Sequence, residues 1–252
     1  MPYGLYMSAE GAHAQATRLE VIAHNLANVE TTGFKRELAI FQARYAEDIA
    51  DGSVSPGSGS LEDVGGGIEV METRTDFAPG PLKHTKLPTD VAIQDEGFFV
   101  VGKGEDRFLT RAGNFHVNAQ GRLVTQYGGQ QYSVLDDSYS PITLDRELPW
   151  TITESGGIRQ GGGLTNMALV KPQSYGDLVR EGENVFRPLA DPIPLTAAER
   201  NVAPGYLEGS GVQPTSEMVN MIEASRILET NLNMMKSQDE MLDGLINRLM
   251  RV

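Results

Sequence analysis

Apolar residues near the start of the chain recur in steps of four and three: Leu5, Ala9, Ala12, Ala16, Leu19, Ala23 and Leu26. This is the spacing of a helix with one buried stripe, and alanine at most of its contact positions lets a second helix approach closely. Val21 and Ile22 widen the stripe. The pattern predicts a stop near Asn28, because asparagine tolerates the left-handed conformation and Val29-Glu30-Thr31-Thr32-Gly33 is a poor helix former. The same signature returns at the other end of the chain. Met218, Met221, Ser225, Leu228, Leu232, Met235, Asp239, Leu242, Ile246 and Leu249 step by threes and fours, with only Ser225 and Asp239 breaking the apolar line. Pro214 suits a first helical turn, Glu217 its positive end, and Arg248 and Arg251 its negative end. A helix over 214–250 would be roughly 55 Å long at ~1.5 Å per residue. A helix of this kind is not stable alone in water and requires a partner to pack against.

Between the two ends the period changes. From about Thr89 to Leu207 short apolar runs alternate with glycine turns. Phe98-Phe99-Val100-Val101 reads as a buried strand, Asp90-Val91-Ala92-Ile93 as a weaker one, and Phe108, Phe115, Leu123 and Val124 fall in further short segments. Asn118-Ala119-Gln120-Gly121 and Glu154-Ser155-Gly156-Gly157 read as turns. No helix-length pattern interrupts the stretch, which argues against a parallel α/β domain. Residues 51–67 are rich in glycine and serine and read as a flexible connector. Before them, Leu38, Phe41, Tyr45 and Ile49 are spaced as on a helix.

The architecture that follows is α+β: long N- and C-terminal helices forming a coiled-coil-like pair, a central all-β domain and a Gly/Ser-rich connector. The boundaries are 1–34 for the first helix, 35–85 for a partly extended connector, 86–211 for the β domain and 212–252 for the last helix. Matching stripes can pair within a chain or between copies. A contact of the second kind that repeats without closing makes a polymer.

Composition narrows the function. The 252 residues carry a net charge of −13, with 40% hydrophobic and 22% charged positions. This is enough apolar material for a sizeable core. So acidic a surface repels nucleic acid and anionic lipid. There is no cysteine, which permits an oxidising compartment without requiring one. Met1-Pro2-Tyr3-Gly4-Leu5-Tyr6-Met7 shows no basic segment and no apolar run of signal-peptide length.

Candidate chemistry is sparse. His13, His24, His84 and His116 share no metal-ligand spacing. Gly65-Gly66-Gly67 and Gly161-Gly162-Gly163 lack the Lys-Ser or Lys-Thr of a phosphate loop. Ser155 and Ser210 lie near glycines without a nucleophile elbow. Glu47-Asp48 with Asp51, and Asp136-Asp137, lack the spacing of a calcium loop. Trp150, the single tryptophan, reads as a core or rim residue. No catalytic, cofactor-binding or metal residue is assigned. Met218, Met221, Met234, Met235 and Met241 crowd the last helix, where unbranched methionine adapts to non-identical neighbours.

Several stretches resemble a known family. Ala23-His24-Asn25-Leu26-Ala27-Asn28 followed by Thr32-Gly33-Phe34-Lys35 is similar to the signature of flagellar basal-body rod and hook proteins, with His24 where that family usually has asparagine. Asp90-Val91-Ala92-Ile93 with Gly97-Phe98-Phe99, and Thr110-Arg111-Ala112-Gly113-Asn114-Phe115 with Gly121-Arg122-Leu123-Val124, resemble its β domain. Gly205-Tyr206-Leu207-Glu208-Gly209-Ser210-Gly211-Val212, then Glu217-Met218-Val219 with Met221-Ile222 and Arg226, resembles the start of its last helix, with Gly211 where the family usually has asparagine. The resemblance implies a non-enzymatic structural subunit of the rod that transmits motor torque. It implies export without a cleaved signal peptide and assembly across the periplasm. The partners it implies are copies of the chain and other rod subunits, with ring (bushing) proteins and the export gate as further candidates. A proximal rod subunit is the first expectation, and a distal rod or hook subunit the second. A secreted β-rich enzyme with helical tails is the rival from another class.

The subunit-packing positions are then Leu5, Ala12, Ala16, Leu19, Ala23, Leu26, Met218, Ile222, Leu228, Leu232, Met235, Leu242, Ile246 and Leu249. Asn25, Asn28, Gly33 and Phe34 carry the family motif, and Phe41 with Tyr45 is a candidate export signal. Helices whose stripes await partners are expected to open first. Limited proteolysis of the isolated chain should clip both ends and spare the middle. A digest that leaves the ends intact contradicts this.

Overall fold

The computed structural model describes residues 3–43, 67–104, 106–127, 129–182 and 184–250. The chain divides into two compact units. A helical unit comprises Met1–Ala27, Glu37–Thr75 and Gln213–Val252, and a central unit comprises Asn28–Arg36 and Asp76–Val212. The fold is α+β, with an N-terminal helix, a central β domain and a C-terminal helix.

In the helical unit, α1 spans Tyr3–Ala27 and ends at the residue before Asn28. Helix α2 spans Pro214–Leu249, 36 residues, with Pro214 in its first turn, Glu217 near its positive end and Arg248 in its last turn. The two helices run antiparallel. A Cβ on Gly4 would stand 2.8 Å from Gln238 Nε2 and one on Gly11 3.0 Å from Asn231 Nδ2, while Arg18 pairs with Glu223 at 3.8 Å. Glycine at a one-heptad interval therefore faces side-chain amides, which makes these two points of the seam close and polar. Ala224 in α2 is completely buried. The alanine stripe flanks this seam. Ala12 is buried, Leu5, Ala9, Ala16, Leu19 and Leu26 are half-buried, and Ala23 is exposed.

The helical spacing of Leu38 and Phe41 is overridden. Glu37–Ala43 forms strand β1, antiparallel to β2 (Ile68–Thr75) from Glu37↔Thr75 to Ala43↔Ile68, with an irregularity between Ile40 and Phe41. A short apolar run is ambiguous in period. Here pairing with Ile68-Glu69-Val70, and packing of the ribbon against α1, decides for the strand. Tyr45 and Ile49, and residues 51–66 of the Gly/Ser-rich stretch, lie outside the described residues.

The central unit is built from short strands. They are β3 (Leu82–His84), β4 (Val91–Ile93), β5 (Phe98–Lys103), β6 (Asp106–Thr110), β7 (His116–Val117), β8 (Leu123–Tyr127), β9 (Gln130–Val134), β10 (Trp150–Ile152), β11 (Gly157–Gln160), β12 (Gly163–Asn166), β13 (Leu169–Lys171), β14 (Leu178–Arg180), β15 (Val185–Pro188), β16 (Ile193–Pro194), β17 (Val202–Pro204) and β18 (Tyr206–Glu208). The main sheet runs β14-β15-β6-β5-β9-β8-β7, with β13 bridging β5 and β16. Strands β10-β11-β12 form a second sheet, and β17 pairs with β4 and β18 with β3. The pairings are antiparallel.

Strand β5 explains the run of four apolar residues. Phe99 and Val101 enter one buried cluster with Val91, Phe115 and Leu169, whereas Phe98 and Val100 enter another with Leu109, Val170 and Phe186. Both faces of the strand are covered, so alternation gives way to continuous hydrophobicity. Trp150 packs half-buried on the first cluster. Asn118 makes the predicted hairpin turn, its Oδ1 accepting from the N–H groups of Gln120 at 3.0 Å and Arg122 at 2.9 Å. Phe99→Ala should lower the unfolding free energy of the full chain by about 3–5 kcal/mol, read by chemical denaturation.

Candidate functional site

The family-motif residues mark a structural site. In the helical unit, the Asn25 side chain imitates a strand. Its Nδ2 donates to the Glu37 carbonyl at 2.8 Å, and its Oδ1 accepts from the Glu37 N–H at 2.8 Å. Only a side chain with a donor and an acceptor side by side can hold both backbone groups, and the amide does so from a fully buried position. His24 supports the same residue, with Nδ1 2.9 Å from Glu37 Oε2. Histidine at a position where the family usually has asparagine therefore keeps a polar contact.

In the central unit, Asn28–Arg36 forms a strap. Asn28 accepts from Thr31 through backbone (3.2 Å) and side chain (3.0 Å), making the first turn after α1. Gly33 follows with φ 67°, and a Cβ there would lie 2.5 Å from the backbone nitrogen of Ala112. Left-handed geometry and close backbone approach together leave room only for glycine. The strap's backbone is held along its length. Gly33 N–H donates to the Glu208 carbonyl at 2.8 Å, and the Phe34 carbonyl accepts from Gly211 N–H at 2.9 Å. The Thr32 carbonyl accepts from Asn184 Nδ2 at 2.7 Å and the Lys35 carbonyl from Arg180 Nη2 at 2.6 Å. Phe34 is wholly buried, with the Arg180 guanidinium 4.8 Å above its ring.

The strap ends in a buried charge cluster. Lys35 Nζ donates to Glu208 Oε1 at 2.7 Å and to the Ala78 carbonyl at 2.9 Å. Glu208 Oε1 also accepts from Gly80 N–H at 2.8 Å, and its Oε2 lies 3.4 Å from Arg111 Nη1. Lys35 and Glu208 are 1% exposed and Arg111 4%. Burial pulls the Lys35 ammonium below its ordinary pKa, an effect that Glu208 opposes. Burial does the same to Arg111, again against Glu208. Lys35, Arg111 and Glu208 stand in three separate stretches of sequence, and no local pattern announces that they meet. The faint signal is an ionisable residue inside each of the three family motifs.

The packing-helix positions divide by face. Met221, Leu228, Met235 and Leu242 are half-buried, while Met218, Ile222, Leu232 and Ile246 are at least half exposed. Nothing is described for the Leu249 side chain. Phe41 sits half-buried in β1, and Tyr45 is outside the described residues.

Elsewhere several polar groups are engaged structurally. His84 stacks on Tyr206 with ring centroids 4.6 Å apart. Asp136 caps its own turn through the N–H groups of Ser138 and Ser140, and Asp137 pairs with Arg200 at 2.7 Å. A groove of about 580 Å³ is lined by Arg107, Tyr139, Arg187 and Leu189 among others. Its Arg187 pairs with Glu181 at 2.6 Å, and Arg107 lies 4.0 Å over the Tyr139 ring. Among the described residues no cluster of His, Cys, Asp and Glu has the makings of a metal site. No described helix is long and apolar enough to cross a membrane.

Residues 5–35 match the family model described as flagella basal body rod protein, residues 92–160 that of the flagellar hook protein FlgE/F/G D1 domain, and residues 203–249 that of the flagellar basal body rod FlgEFG protein C-terminal. The flagellar basal-body rod protein FlgF of Caulobacter vibrioides is 31% identical, with 100% of both chains covered. This chain belongs to the flagellar basal-body rod protein family. The rod protein FlgG of the same organism is 32% identical over 95% of this chain and 97% of the relative. FlgG of Bacillus subtilis is 29% identical over 96% and 97%. Each of the three matched regions of this rod-family chain contributes one member of the charge cluster: Lys35, Arg111 and Glu208.

Removing the shared carboxylate should hurt more than removing one of its cations. Glu208→Ala leaves Lys35 and Arg111 buried without a counter-charge and is expected to cost about 3–5 kcal/mol, whereas Lys35→Met, which leaves Glu208 paired with Arg111, should cost less. Denaturation midpoints of the full chain decide. Equal losses in the two variants would mean that the charges are not buried together.

Proposed function

We propose that this rod-family chain is a structural subunit of the flagellar rod that polymerises through its terminal helices into the shaft carrying motor torque. The observation that supports it is the outward face of α2. Met218, Ile222, Leu232, Met241, Leu245 and Ile246 are each at least half exposed, although they are the residues most in need of burial. The face turned to α1 meanwhile holds Asn231 and Gln238 in one row with the half-buried Met221, Leu228, Met235 and Leu242. A coiled-coil-like pairing of α1 and α2 uses that row inside the chain and leaves further apolar residues of α2 for neighbours.

The occupants of that stripe are terminal helices of other copies and of related rod subunits. Methionine-rich packing suits neighbours that are not identical. The stretch Glu217 to Arg226 favours the proximal rod, with the distal rod or hook as the second reading. The remaining parts of the proposal are assembly in the periplasm, contact with ring proteins and the export gate, and a connector role for the Gly/Ser-rich stretch. Mechanically, rows of interlocked side chains resist twist because slipping unpacks a whole row at once.

Leu232→Asp places a charge in the stripe, and Leu19→Asp places one beside the inner seam. Each should abolish rod assembly while leaving the central unit folded, read by basal-body imaging and by retention of a protease-resistant core. Normal assembly in both variants would remove the proposal. Imaging of basal bodies carrying a tagged chain should place the density on the proximal rod axis, and density outside the rod is incompatible with the reading.

A further inference from the structure

The chain passes between its two units four times, after Ala27, Arg36, Thr75 and Val212. At these crossings the backbone segments themselves carry force from one unit to the other. On the side of the central unit these segments are the strap ending at Arg36, the stretch beginning at Asp76 and the stretch ending at Val212. All three meet at one buried point. Lys35 Nζ, on the strap, binds the Ala78 carbonyl of the second segment and Glu208 Oε1 of the third. Glu208 Oε1 returns to the second segment through Gly80 N–H. Backbone bonds frame the point: Asp76 N–H to the Arg36 carbonyl at 2.7 Å, Gly211 N–H to the Phe34 carbonyl at 2.9 Å and Gly209 N–H to the Pro81 carbonyl at 2.8 Å. Arg111, in the body of the β domain, ties the point to the sheet through Glu208 Oε2 and through the Ile93 carbonyl at 3.3 Å.

Stability alone does not account for charges here. A buried ion pair roughly breaks even against apolar residues of the same size. This one also leaves Arg111 Nε buried with no hydrogen-bond partner. What charged hydrogen bonds add over apolar packing is position, because they are directional and short, whereas apolar contacts exchange partners at little cost as surfaces slide. We infer that the Lys35–Glu208–Arg111 cluster is a force clasp, which locks the strap, the 76–80 stretch and the 208–211 stretch to the sheet so that they take up torque together. This rests on the rod reading above. Without the clasp each segment is loaded by itself and the weakest yields first.

The test is rotation against load in a strain lacking this chain and complemented with variants. Lys35→Met with Glu208→Gln keeps the net charge of the cluster and removes the bonds from Lys35 to Ala78 and Glu208 together with the charge on position 208. Val134→Ala, in the core away from the cluster, serves as a comparison for general destabilisation. The clasp predicts normal rotation of the double variant in thin medium and loss of rotation in viscous medium, with Val134→Ala unaffected at equal or lower unfolding midpoint. Rotation of the double variant indistinguishable from that of the unaltered chain at every viscosity overturns the inference, as does equal load sensitivity in Val134→Ala. If the double variant builds no rods, Lys35→Arg decides. It keeps the charge but moves the donors, so load-sensitive rotation supports the clasp and normal rotation overturns it. Failure of the unaltered chain to restore rods in that strain would instead overturn the rod reading itself.

Discussion

The Glu208 carboxylate stands between the Lys35 ammonium and the Arg111 guanidinium with almost no access to water. Three charges in such surroundings tolerate little displacement, since each depends on the others to offset its lost hydration. That constraint reaches outward. It sets where the strap lies, and therefore where Gly33 presses on Ala112 and Phe34 fills its site beneath Arg180. It also places the stretch 208–211 that leads toward α2. The central sheet can be pictured without the cluster, but the course of the chain into and out of the sheet cannot.

The two terminal helices follow a different logic. Their mutual seam sets glycine against amide and carries the half-buried Met221, Leu228, Met235 and Leu242, while Met218, Ile222, Leu232 and Ile246 stay at least half exposed. A domain that used its helices only to complete its own core would bury both sets. The exposed set is apolar surface available to neighbours. The acidic surface is compatible with this, because repulsion between free chains discourages association until a specific apolar match outweighs it.

Much of the architecture was legible along the chain. Heptad steps located α2 nearly to the residue and put the stop of α1 near Asn28, although the 1–34 bound for the first helix ran past its end at Ala27, and Phe98-Phe99-Val100-Val101 announced a buried strand. Local patterns failed where two structures share one pattern. Leu38 and Phe41 fit a helix as well as a strand, and pairing with residues 68–75 settled the matter. The face of each helix was also ambiguous by one position. The Ala12 and Ala16 stripe and the Gly4 and Gly11 seam lie side by side, and hydrophobicity pointed to the alanines, while close approach selected the glycines.

By itself, then, the sequence determined the two terminal helices, the β character of the middle and the family, because helix period, turn chemistry and motif order are properties of neighbouring residues. Only the tertiary structure decided what the motif residues do. Asn25 as a strand mimic, and Lys35, Arg111 and Glu208 as a single cluster, are relations between residues far apart in the chain. Lys35 and Glu208 are separated by 173 positions. A buried charge is tolerable only if its partner arrives from elsewhere, and the sheet that brings the partner is assembled by all the other residues together.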